Sequence, residues 1–147
     1  MRVLGHDLFA LIGAVLAIYL VGMMWYGFVF SELWMSLMGL TEADLGEGMW
    51  KMALSPLMPI LKALLLALIF HRTGTSGLVA QLKFTALIWL AFPLTTLAYQ
   101  YVYWPDYPLA LFALDGGHVL VSSLAGAAVL AWRKTPKATE IDPQETA

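Results

Sequence analysis

The fold class this sequence predicts is an all-α integral membrane protein, a four-helix bundle with both ends in the cytoplasm. Three observations predict it. Hydrophobic residues make up 61% of the 147-residue chain and charged residues 12%, well under the roughly one quarter charged that is typical of a soluble domain. Four apolar runs, 8–30, 52–70, 84–103 and 109–132, each come close to the roughly 20 residues that a spanning helix requires. Lipid offers no partner to free backbone groups, and no run alternates as a strand does, so helices are the expected spanning elements.

The first run carries no formal charge from Leu8 to Phe30. Met1 and Arg2 ahead of it resemble the start of a signal peptide. The run is about twice the usual length of a signal's apolar region, however, and it ends in Met24, Trp25 and Tyr26, too bulky for a cleavage site, so an uncleaved first helix is expected. Orientation follows from the basic residues. Arg2, Arg72, Lys83, Arg133, Lys134 and Lys137 fall on one side, while the opposite loops hold Glu32, Glu42, Asp44, Glu47 and Asp106 against Lys51. The Lys/Arg bias places the first set inside, in a cell inner membrane crossed four times.

The loop 31–51 opens on an apolar patch, Leu33, Trp34, Met35, Leu37 and Met38, suited to the interface, and Thr41 with Asp44 has the spacing of a capping box. Pro56 and Pro59 are expected to kink or unwind the outer half of the second helix. Gly74, Ser76 and Gly77 make the inner turn and residues 104–108 the outer one. Trp34, Trp50, Tyr103, Trp104 and Tyr107 read as an aromatic belt. Residues 1–134 thus form one membrane domain, and the polar stretch 135–147 a disordered cytoplasmic tail.

Asp115 is the sharpest chemical feature. A carboxylate within a span costs a few kcal/mol on insertion scales, so it is expected to face the bundle interior and find a partner or a proton. His118 lies one helical turn on, on the same face. At about 1.5 Å per residue, Asp115 lies roughly 9 Å below Leu109, Thr96 about 10 Å below Tyr103, and Trp25 and Tyr26 some 6 to 8 Å below Phe30. That common layer predicts a polar pocket in the outer half of the bilayer. Asp115, His118, Thr96 and Gln100 supply its polar groups, and Trp25 and Tyr26 wall it. The competing reading of the third helix has Thr95, Thr96 and Gln100 bonding backbone freed by Pro93. Lys62, deep in the second span, either reaches Asp115 or sits apart from it.

Other classes are set aside by composition. A net charge of −2 without a basic stripe gives no footing for nucleic acid. The absence of cysteine excludes disulfides, thiol chemistry and thiolate-ligated metals. With no metalloprotease, nucleophile-elbow or second deep acidic motif, an enzyme is not expected, and no cofactor or metal is assigned. Ser122, Ser123, Gly126 and Ala127 form small-residue faces suited to close helix packing. The expected partners are the lipid bilayer and, through such faces, a second copy or other membrane helices. Two functions follow: binding or moving a small solute or proton at the polar site, or a structural and assembly role through helix contacts.

The stretch Trp25, Tyr26, Gly27, Phe28, Val29, Phe30, then Trp34 and Met35 and the run Gly39, Leu40, Thr41, Glu42, resembles the small bacterial and fungal membrane proteins grouped as domain of unknown function 1761. Asp115, Gly116, Gly117 and His118 look like that family's acidic-Gly motif in its last helix. Phe28, Ser31 and His118 stand where that pattern has proline, glycine and an aromatic residue. The resemblance implies a multi-pass membrane protein of unassigned activity.

Overall fold

A computed structural model describes residues 2–4, 6–41, 43, 44, 46, 50 and 53–132. The expected tail 135–147 lies outside the described residues, as do Glu42, Glu47, Lys51, Arg133, Lys134 and Lys137. The chain opens on a two-stranded hairpin that hydropathy does not signal: β1 (Arg2–Val3) pairs antiparallel with β2 (His6–Asp7), with Leu4 at φ 53° in the turn. Asp7 then caps α1 (Leu8–Met24), its carboxylate accepting from the Phe9 N–H at 3.1 Å.

The first run does not stay α-helical to Phe30. From Trp25 to Val29 the chain widens into a π-helical turn, closed by the Phe30 N–H donating to the Trp25 carbonyl at 2.9 Å. Helix α2 (Ser31–Met38) follows and ends on Gly39 at φ 63°, with the Leu40 N–H returning to the Met35 carbonyl. Thr41 and Asp44 form half of the expected capping box: the Asp44 carboxylate accepts from the Thr41 N–H at 2.7 Å, while the Thr41 hydroxyl donates to the same oxygen at 2.6 Å and the Asp44 N–H goes to the Thr41 carbonyl.

Helix α3 (Leu57–Thr73) begins five residues later than the apolar run that contains it. Residues 53–56 are turns rather than helix, so the outer end of the run is unwound, as expected for Pro56 and Pro59. The two prolines mark the helix start, because a first helical turn has no carbonyl partner for the N–H that proline lacks. The helix is 17 residues long, about 25 Å, at the lower limit for a span. Gly74 closes it at φ 64°. Helix α4 (Leu78–Ala91) starts ahead of the expected boundary at Phe84, directly after the Gly77 turn, and so takes in Lys83. Pro93 breaks the path at Phe92, and α5 (Pro93–Tyr103) completes it. Helix α6 (Leu109–Trp132) is unbroken over 24 residues. Among the described residues, three stretches are long and apolar enough to cross a membrane: Leu8–Val29, Leu78–Tyr103 and Leu109–Trp132.

Helix α6 is the hub, packing against α1 most extensively and also against α4, α5, α3 and α2, while α1 packs on α3 as well. The core joins Leu11, Ala14 and Ile18 of α1, Ala63, Leu66, Ala67 and Phe70 of α3, and Ala127 and Leu130 of α6. Small side chains permit the approach: a methyl group on Gly126 would lie 2.7 Å from the Ile18 Cδ1. Meanwhile Ile12, Leu16 and Leu20 of α1, Leu61 and Leu65 of α3 and Leu87 and Leu90 of α4 all face outward. An apolar exterior over an apolar core is the surface of a protein solvated by lipid.

At the opposite end from α2, the His6 ring is only 1% exposed, set beside the backbone of Ala67 and Leu130. Burial, and then the nearby His71, hold its pKa below the ordinary 6.5. The folded state therefore binds fewer protons than the unfolded one as pH falls below 6.5, so the stability contributed above that value is lost on acidification. The melting temperature of the purified protein is expected to fall between pH 7.5 and 5.5, and a His6→Leu variant to show a flatter profile. Equal slopes for the two would remove His6 as the cause.

Candidate functional site

Between the α2 ends of α1, α3 and α6, under the roof of α2, lies a cavity of about 670 Å³, within the roughly 300–1,000 Å³ of small-molecule sites. Most of its wall is apolar: Ile18, Tyr19 and Met23 from α1, Trp34 and Met35 from α2, Met58 and Pro59 from α3. Into it project the polar groups Lys62, His118 and Tyr26, with the Ser31 and Ser55 hydroxyls. Each is placed by a local feature of the chain. The wide π turn carries Tyr26. Gly22 lets His118 lie against α1, since a methyl there would be 3.3 Å from the imidazole Nε2.

Asp115 stands behind this wall. It accepts two hydrogen bonds, from the Tyr26 hydroxyl at 2.7 Å and the Tyr107 hydroxyl at 3.1 Å. The two phenols bring together the π turn, the turn before α6 and α6 itself, and they supply the partners that a carboxylate in a membrane needs. Burial first, then the Asp115 charge, pushes the Tyr107 pKa up to about 12, so this phenol remains a donor at neutral pH. The Tyr26 ring meets the His118 ring edge-on, centroids 4.7 Å apart. Asp115 and His118 are thus linked through Tyr26, rather than by the direct contact that their one-turn spacing suggests.

Lys62 does not pair with Asp115. Its Nζ donates to the Ser122 Oγ at 3.0 Å, while the Ser122 hydroxyl donates to the Val119 carbonyl at 3.2 Å. Ser122 lies seven residues beyond Asp115 on α6, about 10 Å along the axis, which is the level at which α3 presents its lysine. Trp25 also lies beside the site rather than lining it. Its ring packs on Phe30 and His118, with centroids 4.7 and 6.2 Å away, and against Gly117, where a methyl would approach the indole to 3.3 Å. The Trp25 Nε1 is buried without a hydrogen-bond partner.

Thr96 and Gln100 are not brought to this cavity. Thr95 and Thr96 are exposed on the outside of α5, and their hydroxyls donate to the Ala91 and Phe92 carbonyls at 2.8 to 2.9 Å; Ala91 lies at the break before Pro93, whereas the Phe92 carbonyl also accepts the Thr96 N–H. Gln100 is half-buried on the same helix. The side chains that α5 turns toward Gly116 of α6 are Leu94 and Leu97.

Four participants escape a reading of the sequence. Ser122 reads as a packing residue and Tyr107 as a belt aromatic. Trp89, whose Nε1 donates to the Gly116 carbonyl at 3.0 Å, carries no signal at all. Met58 looks like generic packing, yet it stands at the rim of the cavity. A tyrosine next to the proline that opens the helix bearing an intramembrane acid was the one available clue, to Tyr107.

No group of three or more acidic, His or Cys side chains suited to a metal occurs among the described residues. A family model described as protein of unknown function (DUF1761) matches residues 9–131. No curated protein and no solved structure matches the chain.

Proposed function

This chain belongs to the DUF1761 family, and from that premise we propose that it is a non-enzymatic, four-span membrane protein that binds or moves a small solute at the cavity, in the outer half of the bilayer. The supporting observation is the convergence of Lys62, His118 and Tyr26 on one cavity inside an otherwise apolar bundle. Polar side chains in such surroundings are costly, and apolar walls with a few convergent polar groups are the make-up of small-molecule sites. The inner and outer assignments rest on Arg72 and Lys83 at the α3–α4 turn, against Glu32 and Asp106 at the other end.

The cysteine-free sequence makes the test direct. Single cysteines at Ser31 and Ser55 are expected to react with an impermeant thiol reagent added to intact cells. A cysteine at Thr96 is expected to stay unreacted, and one at Ser76 to react only after permeabilisation. Protection of both Ser31 and Ser55 positions would exclude a cavity reached from outside. Labelling of the Ser76 position in intact cells would reverse the orientation.

A further inference from the structure

Among the described residues that line the cavity, none is an anion that faces Lys62. Lys62 brings an amine with three donors, and among the described residues its acceptor is the neutral Ser122 hydroxyl. Among the described lining residues there is no carboxylate, and the remaining ionisable or phenolic groups, His118, Tyr26 and Tyr19, include no fixed anion. Asp115 lies outside the lining with its oxygens taken by two tyrosines. A cation held in low-dielectric surroundings without an anion is expensive. An anion that comes from outside the chain removes the deficit.

The shape of the wall indicates what carries the anion. Tyr19, Met23 and Met58 are 39%, 43% and 58% exposed while also lining the cavity. They come from α1 and α3, so the mouth lies between the outer halves of those two helices, on a flank whose other exposed residues are aliphatic, such as Leu16, Leu20 and Leu61. Methionine walls of this kind adapt to flexible apolar chains. The cavity thus holds Lys62 and His118, carries Ser31 and Ser55 at its α2 end, and has along one side an exposed edge formed by Tyr19, Met23 and Met58.

We infer that the cavity takes a single-chain amphiphile with one anionic head group, the head on the Lys62 amine beside His118 and the chain lying along Met23 and Met58. This assigns a ligand class to the site proposed above and rests on that reading. The anion replaces water around the amine with a charge-assisted hydrogen bond, and the tail gains the apolar wall.

Native mass spectrometry of the full chain, released from a non-ionic detergent, tests the inference with four probes: dodecanoate, dodecanol, dodecyltrimethylammonium and inorganic phosphate. Dodecanoate is expected to form a one-to-one adduct at concentrations about ten-fold below those needed for dodecanol, the margin of one desolvated charge pair. The cationic amphiphile and phosphate alone are expected not to bind. Lys62→Met should bring dodecanoate down to the level of dodecanol, and Lys62→Arg should retain the difference.

Because the probe series uses the unaltered chain, it decides the matter even if Lys62→Met does not fold. Equal adducts with dodecanoate and dodecanol overturn the anion assignment and leave the solute site standing. Phosphate bound as well as dodecanoate overturns the amphiphile. No adduct with any probe overturns the inference, and the cysteine labelling at Ser31 and Ser55 then shows separately whether an open cavity exists.

Discussion

Gly126→Leu is expected to produce the largest loss of stability of any single substitution in the bundle, with a melting temperature far below that of the unaltered protein and little folded material recovered from membranes. Gly126 is buried on α6 where α1 crosses it, and the first added carbon would lie 2.7 and 2.8 Å from the Ile18 Cδ1 and Cγ1. Ile18 is itself 5% exposed within the core shared by α1, α3 and α6, so it cannot swing aside without displacing Leu66 or its neighbours. Overpacking a core by a methylene or two costs about 1–3 kcal/mol, and a leucine adds four carbons. The gain in helix propensity on leaving glycine, about 1 kcal/mol, does not offset this. Combining Gly126→Leu with Ile18→Ala should recover part of the loss by returning volume to the same contact. A single variant that melts like the parent would show that α1 and α6 do not meet there.

The second large effect is expected at Asp115. Replacement by leucine removes the acceptor of two tyrosine hydroxyls at once and leaves the Tyr26 hydroxyl without its partner in a partly buried position. An unsatisfied buried hydroxyl costs about 1–3 kcal/mol. Tyr107 contributes less, because its bond is longer, 3.1 Å against 2.7 Å for Tyr26. Asp115→Asn keeps a carbonyl acceptor and should be milder, and Tyr26→Phe should fall between the two. The signature of the network is non-additivity. Tyr26→Phe combined with Asp115→Leu should destabilise by clearly less than the sum of the two separate losses, because the second change removes a bond already absent. Strict additivity in melting experiments would mean that the phenol and the carboxylate act independently. The Asp115→Asn protein serves a further purpose: normal membrane abundance with lost ligand binding marks a functional acid, whereas degradation marks a structural one.

Much of the architecture was legible before any coordinates. Free backbone groups are intolerable in hydrocarbon, so long uncharged runs declare themselves as helices, and the first, third and fourth runs form stretches long and apolar enough to cross a membrane, with the turns at Gly74–Gly77 and 104–108 where glycine and proline put them. Asp115, His118 and Lys62 stood out for the same reason, since polar groups deep in apolar runs are costly, and the structure gathers Lys62, His118 and Tyr26 at one cavity. The boundaries were less so. Lys83 made the third run look shorter than α4 and α5 together, because hydropathy registers a charged side chain while the helix registers only backbone. The prolines of the second run looked like interruptions, because proline's effect depends on whether its turn is the first.

Sequence alone determined that the chain is helical, that lipid is its solvent, and which few residues are chemically out of place. Tertiary structure alone decided how each helix is rotated about its axis. Thr96 turned outward and bonded a carbonyl of its own helix, Lys62 met Ser122 instead of Asp115, and two tyrosines closed around the acid. The reason is physical: in water an apolar stripe tells a helix which face to bury, but in a bilayer the core and the solvent are both apolar. The face that turns inward is then chosen by small residues, close packing and hydrogen bonds between helices, which hydropathy along the chain does not record.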